Sequence, residues 1–446
     1  MNTKRTVRIF GSLLLFLLSA TVVTGFLVQA SSGSADLSTI EREATEPRSE
    51  RDPVVSPREN ITAVSYQYGR LVAFAPNGTV YYYNDSYSHT WDIDPVPNTT
   101  ATILVGYNNN TDGCPDVTYG CSRYVVQELN LTTRETTTVY AANITRYRGG
   151  GGWHDVDRVG QTLYVADIFG DAVFAVNTTT GIVEWEWRAT SAFPTEGGGE
   201  YPDDWTHLND VEVLADGRVM VDLRNQDQVV FVDRSSGVVE NWTLGADDDY
   251  SILYEQHNPD YLPRERGGPT VLVADSQNNR IVEYQRQDES WTRSWVYSDR
   301  QMQWPRDADR LPNGHTLITD SNSDRVFEID ENGSVVWKSS LPYPYEAERL
   351  GTGDESAGGE SAARLGLSSK NVETTVSSAS ATAAITDEIP FAKKLLNAVL
   401  FVVPRWMGPL EIVCTGIAAA TVLVWGAFEL YWSRLTVRSP FTTTQG

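Results

Sequence analysis

The sequence predicts an all-β protein, a six-bladed β-propeller flanked by N- and C-terminal transmembrane helices. Three features predict it: one strand grammar repeated through the middle of the chain, side chains alternating with period two inside it, and an apolar run near each end. The repeat is clearest in GQTLYVADIFGDAVFAVNTTTGIVEW (160–185), DGRVMVDLRNQDQVVFVDRSSGVVENW (216–242), GPTVLVADSQNNRIVEY (268–284) and NGHTLITDSNSDRVFEIDENGSVVW (313–337). Each runs from a Gly turn through an apolar strand to a polar hinge and a second alternating strand. Repeats of roughly 40–50 residues with four strands each are the signature of propeller blades. Val219, Val221 and Leu223 share one face and Met220 and Asp222 the other, as a half-buried strand requires. Blades are expected to start near residues 62, 101, 154, 207, 257 and 306, with 84–125 irregular and loop-rich.

A short strand precedes each unit: HDVDRVG, NDVEVLADG, HNPDYLP and RDADRLPNG. Aligning them on Asp157, Glu212, Asp260 and Asp309 puts His154, Asn209, His257 and Arg306 in one column. His207 lies two residues before Asn209 and so on the same face of an extended strand. Innermost propeller strands surround a central channel, which places this column at the channel mouth.

The ends and the composition set the context. Residues 1–30 are read as a signal anchor or a cleaved signal peptide, with an uncharged run over 9–28 behind Lys4, Arg5 and Arg8. Residues 31–59 and 346–388, poor in apolar residues, are read as flexible linkers around a propeller at 60–345. Residues 389–446 form a C-terminal membrane region with its span at about 412–432, and Leu395–Val403 is too short to cross. With both termini cytoplasmic, the propeller lies outside the cell. Ten Asn-x-Ser/Thr sequons agree with an exported, glycosylated domain. Cys114 and Cys121 bracket a short loop and are read as a disulfide, while Cys414 falls in the membrane segment. A net charge of −24 with five Lys excludes a basic nucleic-acid footprint and fits a halophilic archaeon, where salt screens charge.

His257, in YEQHNPDYLP, is the most suggestive residue, because a neutral imidazole of pKa about 6.5 is a competent nucleophile near neutrality. His207, in DWTHLND, and His154, in GGGGWHDVD, read either as its neighbours or as core histidines bonded to an adjacent Asp. Arg224 is read into the hinge position where sibling units have Asp167, Asp275 and Asp320; it suits an oxyanion, or pairs with Asp222 or Asp227. Arg306 shares the column, or pairs with Asp307 or Asp309. His315 reads as an exposed loop residue, and His89 carries no assignment. The recurring Asp/Asn hinges (Asp275, Asn278; Asp320, Asn322) resemble calcium-loop fragments or, as is commoner in propellers, bond backbone between strands; no residue set is assigned to a metal.

With WTHLND, LRNQDQVV, YEQHN and GWHDVD in this order, residues 150–340, and more weakly 60–150, resemble the PAPS-independent aryl sulfotransferase family of exported six-bladed propellers. The resemblance implies ping-pong sulfuryl transfer from a phenolic sulfate donor to a phenolic acceptor through a sulfohistidine. It puts the nucleophile at His257 and catalytic partners at His207, His154 and Arg224. Asn209 and Asn225 complete the substrate-binding motifs, with Arg306 as a supporting cation. No nucleotide or other cofactor is implied. Residues 31–60 are too short for the N-terminal β-sandwich through which such bacterial enzymes dimerise, which leaves the oligomeric state open. The competing readings are a non-catalytic extracellular propeller that binds surface glycan or glycoprotein, and a quinone-type dehydrogenase or lactonase, which the absence of a clear metal or cofactor constellation disfavours.

Overall fold

The computed structural model describes residues 3–31, 37–66, 68–114, 120–145, 152–353, 355, 357–371, 394–395, 398–399, 402 and 409–433. It divides into two units, Ser34–Glu373 and the two terminal segments Met1–Gly33 and Thr374–Gly446.

The first unit is a six-bladed propeller of antiparallel sheets. Five of the innermost strands are His89–Pro95, Trp153–Val159, Leu208–Val213, His257–Leu262 and Pro305–Arg310. The sixth, Pro344–Arg349, pairs with Thr62–Tyr66 near the other end of the domain, so the first blade is closed by the last strand. Two sequence expectations are corrected here. The second blade begins at His89, not near 101, and 84–125 holds regular strands: its Trp, Pro and acids imitate a loop. The strand Pro344–Arg349 also runs into what had been read as linker.

The apolar stripes of adjacent blades meet face to face. Trp205, Val211 and Val221 pack against Ala166 and Val173, for example, and each such seam excludes water. Nearer the axis the seams are latched by carboxylates. Asp155 Oδ2 accepts from the Val211 N–H at 2.7 Å, Asp157 Oδ2 from Val213 at 2.6 Å, and Glu212 Oε2 from Tyr261 at 2.8 Å. Asp307 Oδ2 accepts from Ala347 at 2.9 Å, and Glu346 Oε2 from Ile93 at 2.7 Å. Acids recur in these strands because each holds a backbone donor of the next blade.

Both linkers are partly structured, against expectation. Leu37–Thr45 is a helix whose Ile40 is fully buried beside Val64, Val72 and Leu341. Arg51 pins the following segment by donating to Val80 O at 2.6 Å and Ala44 O at 2.9 Å. On the C-terminal side, Ser361 caps the short helix Ala362–Leu365, and Ala362 N–H donates to the buried Glu283 carboxylate at 2.9 Å. Few apolar anchors suffice to dock segments of such polar composition. Ile40→Ala is expected to cost about 2–5 kcal/mol in chemical unfolding; a change within error would mean the helix is not part of the folded domain. Cys114 and Cys121 are disulfide-bonded, and Cys121 begins the second blade's third strand.

The second unit holds the helices Thr3–Ser31 and Pro409–Ser433. Arg8 donates twice to the Glu429 carboxylate at 2.6 Å, and Gly11 lets Trp425 approach closely. Among the described residues one helix, Glu411–Trp432, is long and apolar enough to cross a membrane, whereas the apolar stretch found in the first helix is Arg8–Val23. The reading of 395–403 and of the 372–388 part of the linker falls largely outside the described residues.

Candidate active site

Every innermost strand carries one β-bulge, at the same place in five of the six and just beyond it in the fifth blade. In the third blade Trp153 pairs with Asp167 and Asp155 with Ala166, which leaves His154 as the extra residue. Asn209, Arg306, Trp91 and Tyr345 are the extra residues of four other blades, and in the fifth blade the shift falls between His257 and Asp260. A bulge breaks strict alternation and re-aims a side chain, which is how one ring of residues comes to face the channel mouth.

Two positions before the mouth residue the backbone is left-handed at His207 (φ 46°), Glu255 (44°), Trp304 (53°) and Tyr343 (47°). Residues with a Cβ adopt this region at a cost and need to be held there. The hinges hold them. Asp227 Oδ1 accepts from Glu255 N–H at 2.8 Å, Asn279 Oδ1 from Trp304 at 2.9 Å, and Asp324 Oδ1 from Tyr343 at 3.0 Å. In the fourth blade Asp171 Oδ1 takes the neighbouring Thr206 N–H at 3.0 Å. The recurring hinge Asp and Asn residues therefore bond backbone and aim the mouth residues.

The mouth closes on itself through side chains. The His207 and His154 rings lie 5.7 Å apart, and His154 and Tyr345 5.3 Å. The Tyr345 hydroxyl is 3.0 Å from His154 Nδ1. Arg306, 5% exposed, is clamped between the rings of Tyr345 and Trp304, each 4.8 Å from its guanidinium carbon. Trp304 meets His257 edge-on at 6.3 Å. Asn209 Nδ2 donates to the carbonyl of Gln256 at 3.3 Å, which ties the fourth blade to the His257 strand.

His257 is buried, and its Nδ1 lies 2.8 Å from Ser276 Oγ. The Ser276 hydroxyl is also 3.3 Å from Ala274 O, so it donates there and accepts from Nδ1–H. That tautomer, inferred from the bonding pattern, leaves the lone pair on Nε2, which has no hydrogen bond among the described residues. His207 Nδ1 faces Asp204 Oδ1 at 2.7 Å. Burial lowers the pKa of His257 and His154 well below 6.5; Arg306 and Arg224 add to it for His257, and His207 and His89 lead the additions for His154. Burial and then Arg224 lower His207 too, against the pull of Asp204. Burial raises Asp204, but His207 and Arg224 outweigh it and bring it down to about 2. Burial brings Arg306 down to about 10, still charged at neutrality. Neutral imidazoles thus stand among fixed guanidinium cations.

Several sequence expectations change in detail. Arg224 opens the same tight turn as Ser276 and Ser321, so the residue in the place of Asp167, Asp275 and Asp320 is Leu223. Arg224 pairs with Glu255 at 3.2 Å rather than with Asp222 or Asp227, and its Nε–H has no acceptor among the described residues. Arg306 stacks on the rings of Trp304 and Tyr345. Asn225 does not reach into the mouth with its amide nitrogen: it donates to Asp204 O at 2.6 Å and so supports the His207 loop. His315 lies elsewhere, 2.6 Å from Glu328 Oε1. Tyr345 and His89 were missed. Aligning YEAERL with RDADRL would have found Tyr345. Trp91 holds the sixth ring position, but its indole packs over Gly106 in the core.

Fold and mouth together define a propeller whose axis ends in histidines and arginines, a site built to hold an anion. Residues 77–341 match the model of the family Arylsulfotransferase (ASST), and the chain belongs to that family, one of sulfotransferase enzymes that act on aryl sulfates. No curated protein matches. Solved structures similar in fold include a Bacteroides caccae protein of unknown function, at 13% identity over 66% of this chain and 98% of that one, with a TM-score of 0.44. The periplasmic gluconolactonase of Pseudomonas aeruginosa follows at 14% identity, 66% and 99% coverage and a TM-score of 0.42. The virginiamycin B lyase of Staphylococcus aureus gives 7%, 64% and 83%, and 0.36. Likeness at this level carries no inference about activity.

Proposed function

We propose that the chain is a membrane-anchored aryl sulfotransferase that moves a sulfuryl group from a phenolic sulfate to a phenolic acceptor through a sulfohistidine at His257. The observation that carries this reading is the convergence of three neutral histidines and two arginines on one mouth, with His257 Nε2 unengaged. In the first half-reaction Nε2 attacks sulfur, an N–S bond forms, and the S–O bond breaks to release phenolate. With a pKa of about 10 a phenol is a workable leaving group. In the second, the acceptor oxygen attacks the same sulfur and His257 leaves with its lone pair restored. The acceptor's proton passes to His207, whose imidazolium Asp204 stabilises. Charge on the three sulfuryl oxygens is met by Arg224 and Arg306, donors fixed before the reaction begins. The helix Glu411–Trp432 supplies an anchor, with the propeller outside the cell.

The direct test offers the full-length protein in detergent and high salt a chromogenic aryl sulfate, with and without an acceptor phenol. Phenol release that accelerates with acceptor supports transfer. A folded protein that releases no phenol from any donor is instead a binding propeller for surface glycan or glycoprotein.

The pH profile carries a sign. His257 must be neutral to attack, and its pKa is depressed, so the acid limb of kcat/KM should have its midpoint below about 6.5. The same depression makes the folded state bind fewer protons than the unfolded chain. The histidines' share of stability is present above about pH 6.5 and is lost below it. A midpoint above pH 7 would contradict a neutral buried nucleophile.

A further inference from the structure

Beneath the mouth the channel is lined by acids. The residue after each mouth position is Asp92, Asp155, Asp210, Asn258, Asp307 and Glu346 in the six blades, all buried. The latches described above use one oxygen each of Asp155, Asp307 and Glu346. The pattern fails at two members of this ring. Asp210 should take a backbone N–H two residues beyond the mouth position of the fifth blade, but that residue is Pro259, which has none, and Asp210 Oδ1 is buried without a donor. Asp92 is fully buried; no N–H reaches either of its oxygens, and its carboxyl faces that of another acid, Asp155, at hydrogen-bonding range. Asn258 Oδ1, equally without a partner, belongs to an amide whose Nδ2 lies 3.4 Å from Glu346 Oε1. Acceptors that no N–H reaches thus come from three blades, two of them carboxylates.

We propose that this ring binds one calcium ion, held by Asp92, Asp155 and Glu346. Carboxylate oxygens of these three lie within 4.8 Å of one another. Separations up to that bound leave room for calcium, whose bonds to oxygen are roughly 2.3–2.6 Å. Calcium also accepts the irregular six to eight oxygens that a latched ring can offer. The carbonyl oxygen of Asn258, turned about its amide, and the spare oxygen of Asp210 extend the set. The latch explains why acids stand here; it does not explain an acid that latches nothing. A cation supplies what the donors do not, and it converts mutual repulsion among buried carboxylates into a bond across the axis.

The proposal stands apart from the assigned chemistry, and its test does not read activity. The full-length protein is stripped with chelator and dialysed into high salt at fixed ionic strength. It is then titrated with CaCl2, while bound metal is counted by mass spectrometry and Tm is followed. One calcium per chain and a Tm rise of several degrees are expected, with magnesium giving less. In Asp92→Asn the stoichiometric calcium and the calcium-dependent rise should both disappear. Without a bound ion, Asp92→Asn only relieves repulsion. A variant more stable than wild type with and without calcium alike would therefore overturn the proposal, and so would wild type that binds no stoichiometric calcium. The wild-type titration decides the matter even if the variant fails to fold.

Discussion

His257→Ala is expected to abolish transfer, with turnover falling on the order of 10⁴–10⁶-fold, as when a covalent nucleophile is removed. The expectation rests on the unengaged Nε2 and on the Ser276 contact that fixes the tautomer. The direct readout is the intermediate itself. Wild-type protein quenched in the presence of donor alone should carry one acid-labile sulfuryl group on the peptide containing His257, and the variant none. Truncation at a buried site also removes packing against Trp304, so Tm must be measured beside it. His257→Ala protein that is folded and turns over normally would move the nucleophile elsewhere while leaving the family untouched.

Arg224→Ala is expected to lower turnover about 10²–10³-fold, the usual loss when one preorganised donor to a developing anion is deleted. Arg224 offers an Nε–H that nothing in the described protein accepts, which suits a sulfuryl oxygen better than a structural role. The substitution also leaves Glu255 with one cation fewer, although Gln277 Nε2 still donates to it at 2.8 Å. Arg224→Lys separates charge from geometry: a point cation should recover part of the rate and not the fork's share. The adduct on His257 should still form in both variants, but slowly. If Arg224→Ala changed KM alone, the guanidinium would be binding ground state and transition state equally.

The repeat made four blades legible because each begins with a Gly turn and an uninterrupted apolar strand. The first two were harder for a physical reason. Their innermost strands, HTWDIDP and PYEAER, bury acids, and buried acids in a strand look like a loop until the partner blade is present. The closing strand also pairs Arg349 with Thr62, a contact no local pattern can announce. For the site, a column of four residues was visible because alternation is visible. The bulges, the left-handed residues before them and the true place of Arg224 depend on dihedral angles. There the hinge Asp residues misled by one position.

The closure of the first blade by Pro344–Arg349 orders events in time. As the chain emerges from the ribosome, the residues of the first five mouth positions appear well before Tyr345. Until that strand threads home, His154 has no tyrosine hydroxyl beside it and Arg306 is stacked on one side only. A nascent or C-terminally clipped chain can therefore carry His257 without the walls that would make it reactive. Competence arrives with the final strand, so the last segment of the propeller to be synthesised acts as its own licence for chemistry.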